Sequence, residues 1–149
     1  MNKEVFVTLK GLQFNEQLES DKIEVVTLGE YYDKNNKKYI IFEEVVEGVE
    51  DKIKTMIKLS PTVMEVTKKG LTSAHMVFEV DKKNYTVYRT MFGEIQIGIQ
   101  TKSIEIDEAE DEMTVKVDYE LEMNCEHVAS CSINLNVSSK SEGKISLRE

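Results

Sequence analysis

At 149 residues the chain is long enough for one domain that buries a core without disulfides or metal ions. With 40% hydrophobic and 32% charged residues, one proline and seven glycines, it is neither disordered nor linker-rich. Nineteen Lys and Arg against 28 Asp and Glu leave a net charge of −9, which repels nucleic-acid backbones and anionic membranes, and no segregated basic patch offsets it.

The first residues, MNKEVFVTLKG, lack the apolar core and cleavage site of a secretory leader, and no uncharged apolar run approaches a membrane span. The expected setting is cytoplasmic, with both cysteines reduced.

In chain order, Lys3 to Leu9 alternates Val5, Val7 and Leu9 against Phe6, Thr8 and Lys10, the pattern of a strand, and Gly11 ends it. Residues 13–21 carry no periodicity and read as a loop. Lys22 to Tyr32 and Lys38 to Val46 read as a hairpin about Asn35-Asn36, residues that accept positive φ. That turn pairs Tyr32 with Tyr39 and Gly29 with Phe42, but both faces carry apolar residues, so its inward side stays open. Glu50 to Leu59 fits a helical stripe and a strand equally, and its context favours a strand. Thr62 to Lys68 is a strand between Ser60-Pro61 and Lys69-Gly70.

Thr72 to Val80 places Ala74, Met76, Phe78 and Val80 on one face. A two-residue turn at Lys82-Lys83 then pairs Val80 with Tyr85, Phe78 with Val87 and Met76 with Arg89. A three-residue Phe92-Gly93-Glu94 loop sets Met91 against Ile95, Arg89 against Ile97, Val87 against Ile99 and Tyr85 against Thr101. The apolar parity flips between Ile99 and Ile104, which requires a β-bulge near Gln100 to Ser103. Asp107 to Glu112 is an acidic turn. Thr114 to Met123 and Ala129 to Val137 alternate as matching stripes, with Tyr119 against Cys131, Val117 against Ile133 and Met123 against His127.

These elements sum to an all-β antiparallel meander with no helix. A long meander with one apolar face closes on itself or leaves two open edges. Gly29 and Gly98 inside strands, with the bulge, supply bends, and the expected fold is a small barrel of roughly eight to ten strands. Residues 1–140 form the single domain, and residues 141–149 a frayed tail or a short final strand.

Gly29, Tyr39-Ile40, Phe42-Glu43-Glu44, Thr55 to Leu59, Lys68-Lys69-Gly70, Met76 to Glu79, and Tyr88 to Gly93 running into Ile95, Ile97, Ile99 and Thr101 together span most of the chain. On these features it resembles the YwiB-like family of small bacterial proteins, calycin-like β-barrels similar to lipocalins in shape. The resemblance implies a barrel in a bacterial cytoplasm and no known reaction. Two positions depart from the family pattern: Phe42 replaces an expected tyrosine and Lys68 an expected arginine.

Arg89 falls on the apolar face in these registers, and a buried guanidinium needs a partner. It pairs with Glu43 or Glu44, reaches water at a barrel end, or holds an anion at the mouth. Glu43 and Glu44 are sequence neighbours, so they point to opposite faces and do not work as a paired acid and base. The expected ligand-binding residues are Arg89, Glu43, Glu44, Tyr85 and Met91.

His127 and Cys131 lie roughly 13 Å apart along one strand, too far to share a tetrahedral metal site. Cys125, in the turn, and Cys131, facing Tyr119, do not form a disulfide. His75 falls on the outer face. The acidic turn lacks the alternating ligands and glycine of a calcium loop. There is no serine elbow, activated cysteine or phosphate-cradling loop. The expectation is a non-enzymatic barrel without cofactor or metal that binds an unknown small molecule in or at the mouth of its lumen, as a monomer or homodimer. The alternative is an interaction module using an outer face, with Val77, Tyr88 and Val25 or Val26, or an open edge.

Overall fold

The computed structural model describes residues 4–11, 24–45, 52–70, 73–90, 93–123 and 126–139. Ten strands account for most of them: β1 (Glu4–Lys10), β2 (Glu24–Lys34), β3 (Lys37–Val45), β4 (Lys52–Ser60), β5 (Val63–Lys69), β6 (Ala74–Glu79), β7 (Lys83–Thr90), β8 (Gly93–Glu108), β9 (Glu112–Met123) and β10 (Glu126–Ser139). No helix occurs among the described residues. The expected loop at residues 13–21 and the tail at 141–149 lie outside them.

All ten strands form one sheet in the order β6-β5-β4-β3-β2-β1-β10-β9-β8-β7, antiparallel throughout. Pairing of the first strand with the last, Val5 opposite Ser139 and Leu9 opposite Leu135, joins two meanders into a nearly closed barrel. The closure runs along β6 and β7, which among the described residues meet at one bridge, Ser73 with Arg89. Up-and-down wrapping of this kind brings the two edge strands of the sheet side by side without a ladder between them.

The two ends differ. At one, the chain turns tightly at Asn35-Asn36 (φ 54° and 64°), at Pro61-Thr62, at Asp81 (φ 65°) and at residues 109–111. There the Lys38 ammonium reaches Asp33 at 3.3 Å and Glu108 of β8 at 3.2 Å. At the other end are the connections at residues 11–23, 46–51, 70–73, 91–92 and 124–125.

Alternation puts Val5, Val7 and Leu9 inside from β1, Ile57 and Leu59 from β4, Met64 and Val66 from β5, and Val115, Val117, Tyr119 and Leu121 from β9, all essentially inaccessible. Phe78 packs edge-on against Tyr119 across the lumen, centroids 5.1 Å apart at 72°. The Asn-Asn turn gives the expected register, Tyr32 opposite Tyr39 and Gly29 opposite Phe42. It also resolves the open face: Tyr31, Ile40, Phe42 and Glu44 point inward. The bulge falls between Thr101 and Ser103, and Tyr119 opposes Cys131 and Val117 opposes Ile133 as expected. At the start of β10 a second irregularity, between His127 and Ala129, puts Glu122 opposite His127 instead of Met123.

Two further registers are corrected. β6 and β7 do not pair through a Lys82-Lys83 turn; the turn spans Glu79 to Lys82, where the Lys82 amide donates to the Glu79 carbonyl at 3.0 Å. β7 and β8 are joined by residues 91 and 92 alone, so Thr90 opposes Gly93, Arg89 opposes Glu94, Tyr88 opposes Ile95 and Thr86 opposes Ile97. The expected pairing matched isoleucines to Val87 and Met91 at the expense of burying Arg89. The observed one turns Arg89 to water and buries Tyr88 in its place, and desolvating a guanidinium outweighs the mismatch of Thr86 or Asn84 with isoleucine.

Candidate functional site

Buried charge is expensive, and among the described residues a buried ion pair stands inside the barrel at the end where β3, β5 and β7 finish. Glu44 is the inward residue near the end of β3, and Thr55 and Lys68 lie directly opposite each other on β4 and β5. Ala74 opposes Lys68 on β6. The Lys68 side chain is 1% exposed and that of Glu44 8%. The Thr55 hydroxyl donates to Glu44 Oε2 at 3.0 Å, and Lys68 Nζ stands 3.7 Å from the same oxygen. Burial pushes the Lys68 ammonium below the ordinary lysine value, and the Glu44 carboxylate opposes that shift.

Tyr88, the inward residue near the end of β7, joins the group electrostatically. Burial, and secondarily the Glu44 charge, push its phenol from 10.0 up to about 12. A raised phenol stabilises the fold fully below pH 10, and that contribution is lost as the pH rises through about 12. A shift of that size corresponds to roughly 3 kcal/mol. The variant Tyr88→Phe is therefore expected to lose markedly less stability than the native protein between pH 10 and 12. Urea melts across that range check this; identical pH slopes would place the phenol in water.

The arrangement offers a cation, a carboxylate and a hydroxyl within one buried cluster at a barrel mouth. Together they can donate to one polar group and accept from another.

The expected site residues fare differently. Glu43 and Glu44 do split between faces: Glu44 is in the cluster, while Glu43 is exposed and lies 4.0 Å from Lys52. Arg89 is not an inward anchor. Its side chain is 62% exposed and its Nε donates to Glu94 Oε2 at 2.8 Å. Arg89→Ala is expected to change stability by under about 1 kcal/mol, as exposed pairs do; a larger loss in thermal unfolding would contradict its placement.

Tyr85 is also outside, 59% exposed, lying over Gly98, where a Cβ would come within 3.0 Å of its ring. Lys83 Nζ stands 5.8 Å from the centroid of that ring. Met91 lies outside the described residues. Tyr88, expected on the outer face, is buried. Val26 is outside and exposed, Val77 is half-buried, and the side chain of Val25 lies outside the description.

His75 is exposed as expected, with Nε2 3.2 Å from Glu65. His127 is exposed beside Glu120 at 2.7 Å. Cys131 is half-buried as a free thiol, and Cys125 lies outside the described residues. Among the described residues no group of three or more His, Cys, Asp or Glu side chains could hold a metal ion, and no helix is long and apolar enough to cross a membrane.

Lys68, Thr55 and Tyr88 are the members that sequence reasoning missed. The signal for Lys68 was present: it continues the stripe Met64, Val66, Lys68 at strand spacing, so it had to point where they point.

Fold and site together define a ten-stranded up-and-down β-barrel with a polar cluster inside one end. The profile of a family described as "Domain of unknown function (DUF1934)" matches residues 7–135, and the chain belongs to that family. It is 31% identical over 104 residues to the "Uncharacterized beta-barrel protein YwiB" of Bacillus subtilis (strain 168), a stretch covering 70% of this chain and 72% of that protein. The crystal structure of ywiB protein from Bacillus subtilis has the same fold, with a TM-score of 0.74 over 92% of each chain at 24% identity.

Proposed function

We propose that the barrel is a non-enzymatic binding protein that holds a small polar molecule at the mouth where β3, β5 and β7 finish, with Lys68, Glu44 and Thr55 as the polar anchor. The observation that carries this reading is the burial of a lysine beside a carboxylate at one barrel end. Apolar side chains of similar volume would serve the fold as well or better there. Apolar walls with a few convergent polar groups are the usual make-up of a small-molecule site. A ligand offering both an acceptor and a donor, such as an amide or an amino-acid-like compound, would match an ammonium and a carboxylate together. Native mass spectrometry of the gently purified protein tests it: a discrete added mass, lost in Glu44→Gln or Lys68→Met, is expected. Apo protein alone from several growth conditions would overturn it.

A second reading, an interaction module, rests on the outer surface of β2 to β4. Val26, Leu28 and Met56 are exposed there, beside a groove of about 410 Å³ lined by Tyr32, Lys34, Asn35, Tyr39 and Ile41. Exposed apolar side chains grouped on one face favour contact with another protein. Light scattering after size exclusion separates the two readings, since a monomer with a bound small molecule supports the first alone.

A further inference from the structure

The barrel wall is incomplete between β6 and β7. Ser73 and Arg89 exchange both backbone hydrogen bonds, at 2.9 and 2.8 Å, and among the described residues no ladder continues from that bridge. Residues of the same parity, His75 and Val77 on β6 with Tyr85 and Val87 on β7, therefore turn their N–H and C=O groups into the seam without ladder partners. Backbone polar groups in a folded wall are rarely left so.

A second observation lies directly beneath. Asn84 and Thr101 point inward from β7 and β8, next to each other across the ladder, since Asn84 opposes Ile99 and the Thr101 amide donates to the Lys82 carbonyl at 3.3 Å. Thr101 is fully buried. Its hydroxyl and Asn84 Nδ2 are both buried without a hydrogen-bond partner among the described residues. Ile99 opposes Asn84, Tyr119 opposes Thr101 and Phe78 packs on Tyr119, all buried, and Met76 is the next buried inward residue of β6. The cations of this region are engaged, Lys82 with Glu79 at 3.2 Å and Lys83 with Glu122 at 2.8 Å.

We infer that the β6–β7 seam is a binding site for a slender uncharged amphipathic molecule, whose carbonyl head accepts hydrogen bonds from Asn84 Nδ2 and the Thr101 hydroxyl. The apolar tail runs over Met76 and Phe78, and the backbone groups along the seam that no ladder pairs take up the head's remaining hydrogen bonds. An uncharged head follows from the surroundings: the orphaned side-chain groups are neutral, and the nearby ammonium groups are already paired. The site lies toward the tight-turn end, away from the Lys68–Glu44 cluster, and stands whether or not that cluster takes a ligand.

The probe is octanamide, with octanoate as its charged counterpart, titrated into the full chain and followed by amide chemical shifts and by Tm. Octanamide is expected to shift the amides of Asn84, Thr101, Val77 and Val87 saturably, and octanoate to bind more weakly. Thr101→Val removes an unpaired buried hydroxyl, so it should raise the Tm of the ligand-free protein while weakening octanamide roughly tenfold. Thr101→Ser keeps the hydroxyl and should keep the affinity. No saturable octanamide shift, as for a seam that holds only water, overturns the site. So does unchanged affinity in Thr101→Val, a Tm lowered by that variant, or octanoate binding more tightly than octanamide.

Discussion

Lys68→Ala is expected to lower the unfolding free energy by about 3–5 kcal/mol at neutral pH, because it leaves the Glu44 carboxylate buried without its cation. The Glu44 and Lys68 side chains are 8% and 1% exposed, so little water reaches the orphaned charge. The double variant Glu44→Leu/Lys68→Met, which fills the same space with apolar atoms, should be neutral or up to about 4 kcal/mol more stable than the native protein. Its Thr55 hydroxyl then loses its acceptor, which trims the gain by about 1 kcal/mol.

The pH dependence has a definite sign. A lysine whose native pKa is depressed holds fewer protons folded than unfolded. Stability from this group is therefore fully present above the unfolded value of 10.5 and is lost as pH falls through the native one. Urea melts of the native protein and both variants read all of this. A loss below about 1 kcal/mol in Lys68→Ala would mean that the pair is not desolvated, and would remove the main support for a polar anchor at that mouth.

The second large effect is expected at Gly11, and it is steric. Gly11 follows β1 at φ 94°, and a Cβ there would stand 2.0 Å from the carbonyl oxygen of Ser132 on β10. Its own carbonyl accepts the hydroxyl of buried Tyr119 at 3.2 Å. Gly11→Ala has to move backbone against the β1–β10 joint that unites the two halves of the sheet, and adds about 1–2 kcal/mol of left-handed strain. A total loss of at least ~3 kcal/mol is expected in thermal or urea unfolding. Gly93→Ala is the control: its φ is 132° but nothing lies within 4 Å of a new Cβ, so only the positive-φ strain of about 1–2 kcal/mol should appear. Equal effects at the two glycines would show that the β1–β10 joint is soft.

Much of the architecture was legible because its causes are local. The Asn35-Asn36 turn adopts positive φ at both residues, and once it is placed the strand period dictates Tyr32 against Tyr39. The parity flip from Ile99 to Ile104 forces an extra residue into β8 wherever both isoleucines face the same core, and the bulge falls at Lys102. Glu43 and Glu44 split between water and lumen because neighbours in a strand have no alternative.

The site was only half legible. Of the two carboxylates offered as partners for an inward Arg89, Glu43 and Glu44, the second is inside, but the cation that meets it is Lys68, while Arg89 pairs with Glu94 in water. β7, with Tyr85, Val87 and Arg89 on one face and Asn84, Thr86 and Tyr88 on the other, has no face that is wholly apolar. Its parity is therefore not decided by its own residues.

Alternation, turn residues and one parity break determine by themselves that this chain is a run of antiparallel strands with a single apolar side. Which face of β2, β3 and β7 turns inward, and which charge is carried in with it, was decided by closure. Pairing β1 with β10 and bridging Ser73 to Arg89 bring strands distant in sequence around one lumen. There the cost of desolvating Arg89 is compared with that of burying Tyr88, and Lys68 meets a carboxylate 24 residues earlier in the chain, on another strand. Those comparisons involve residues far apart in the sequence, so no local pattern contains their outcome.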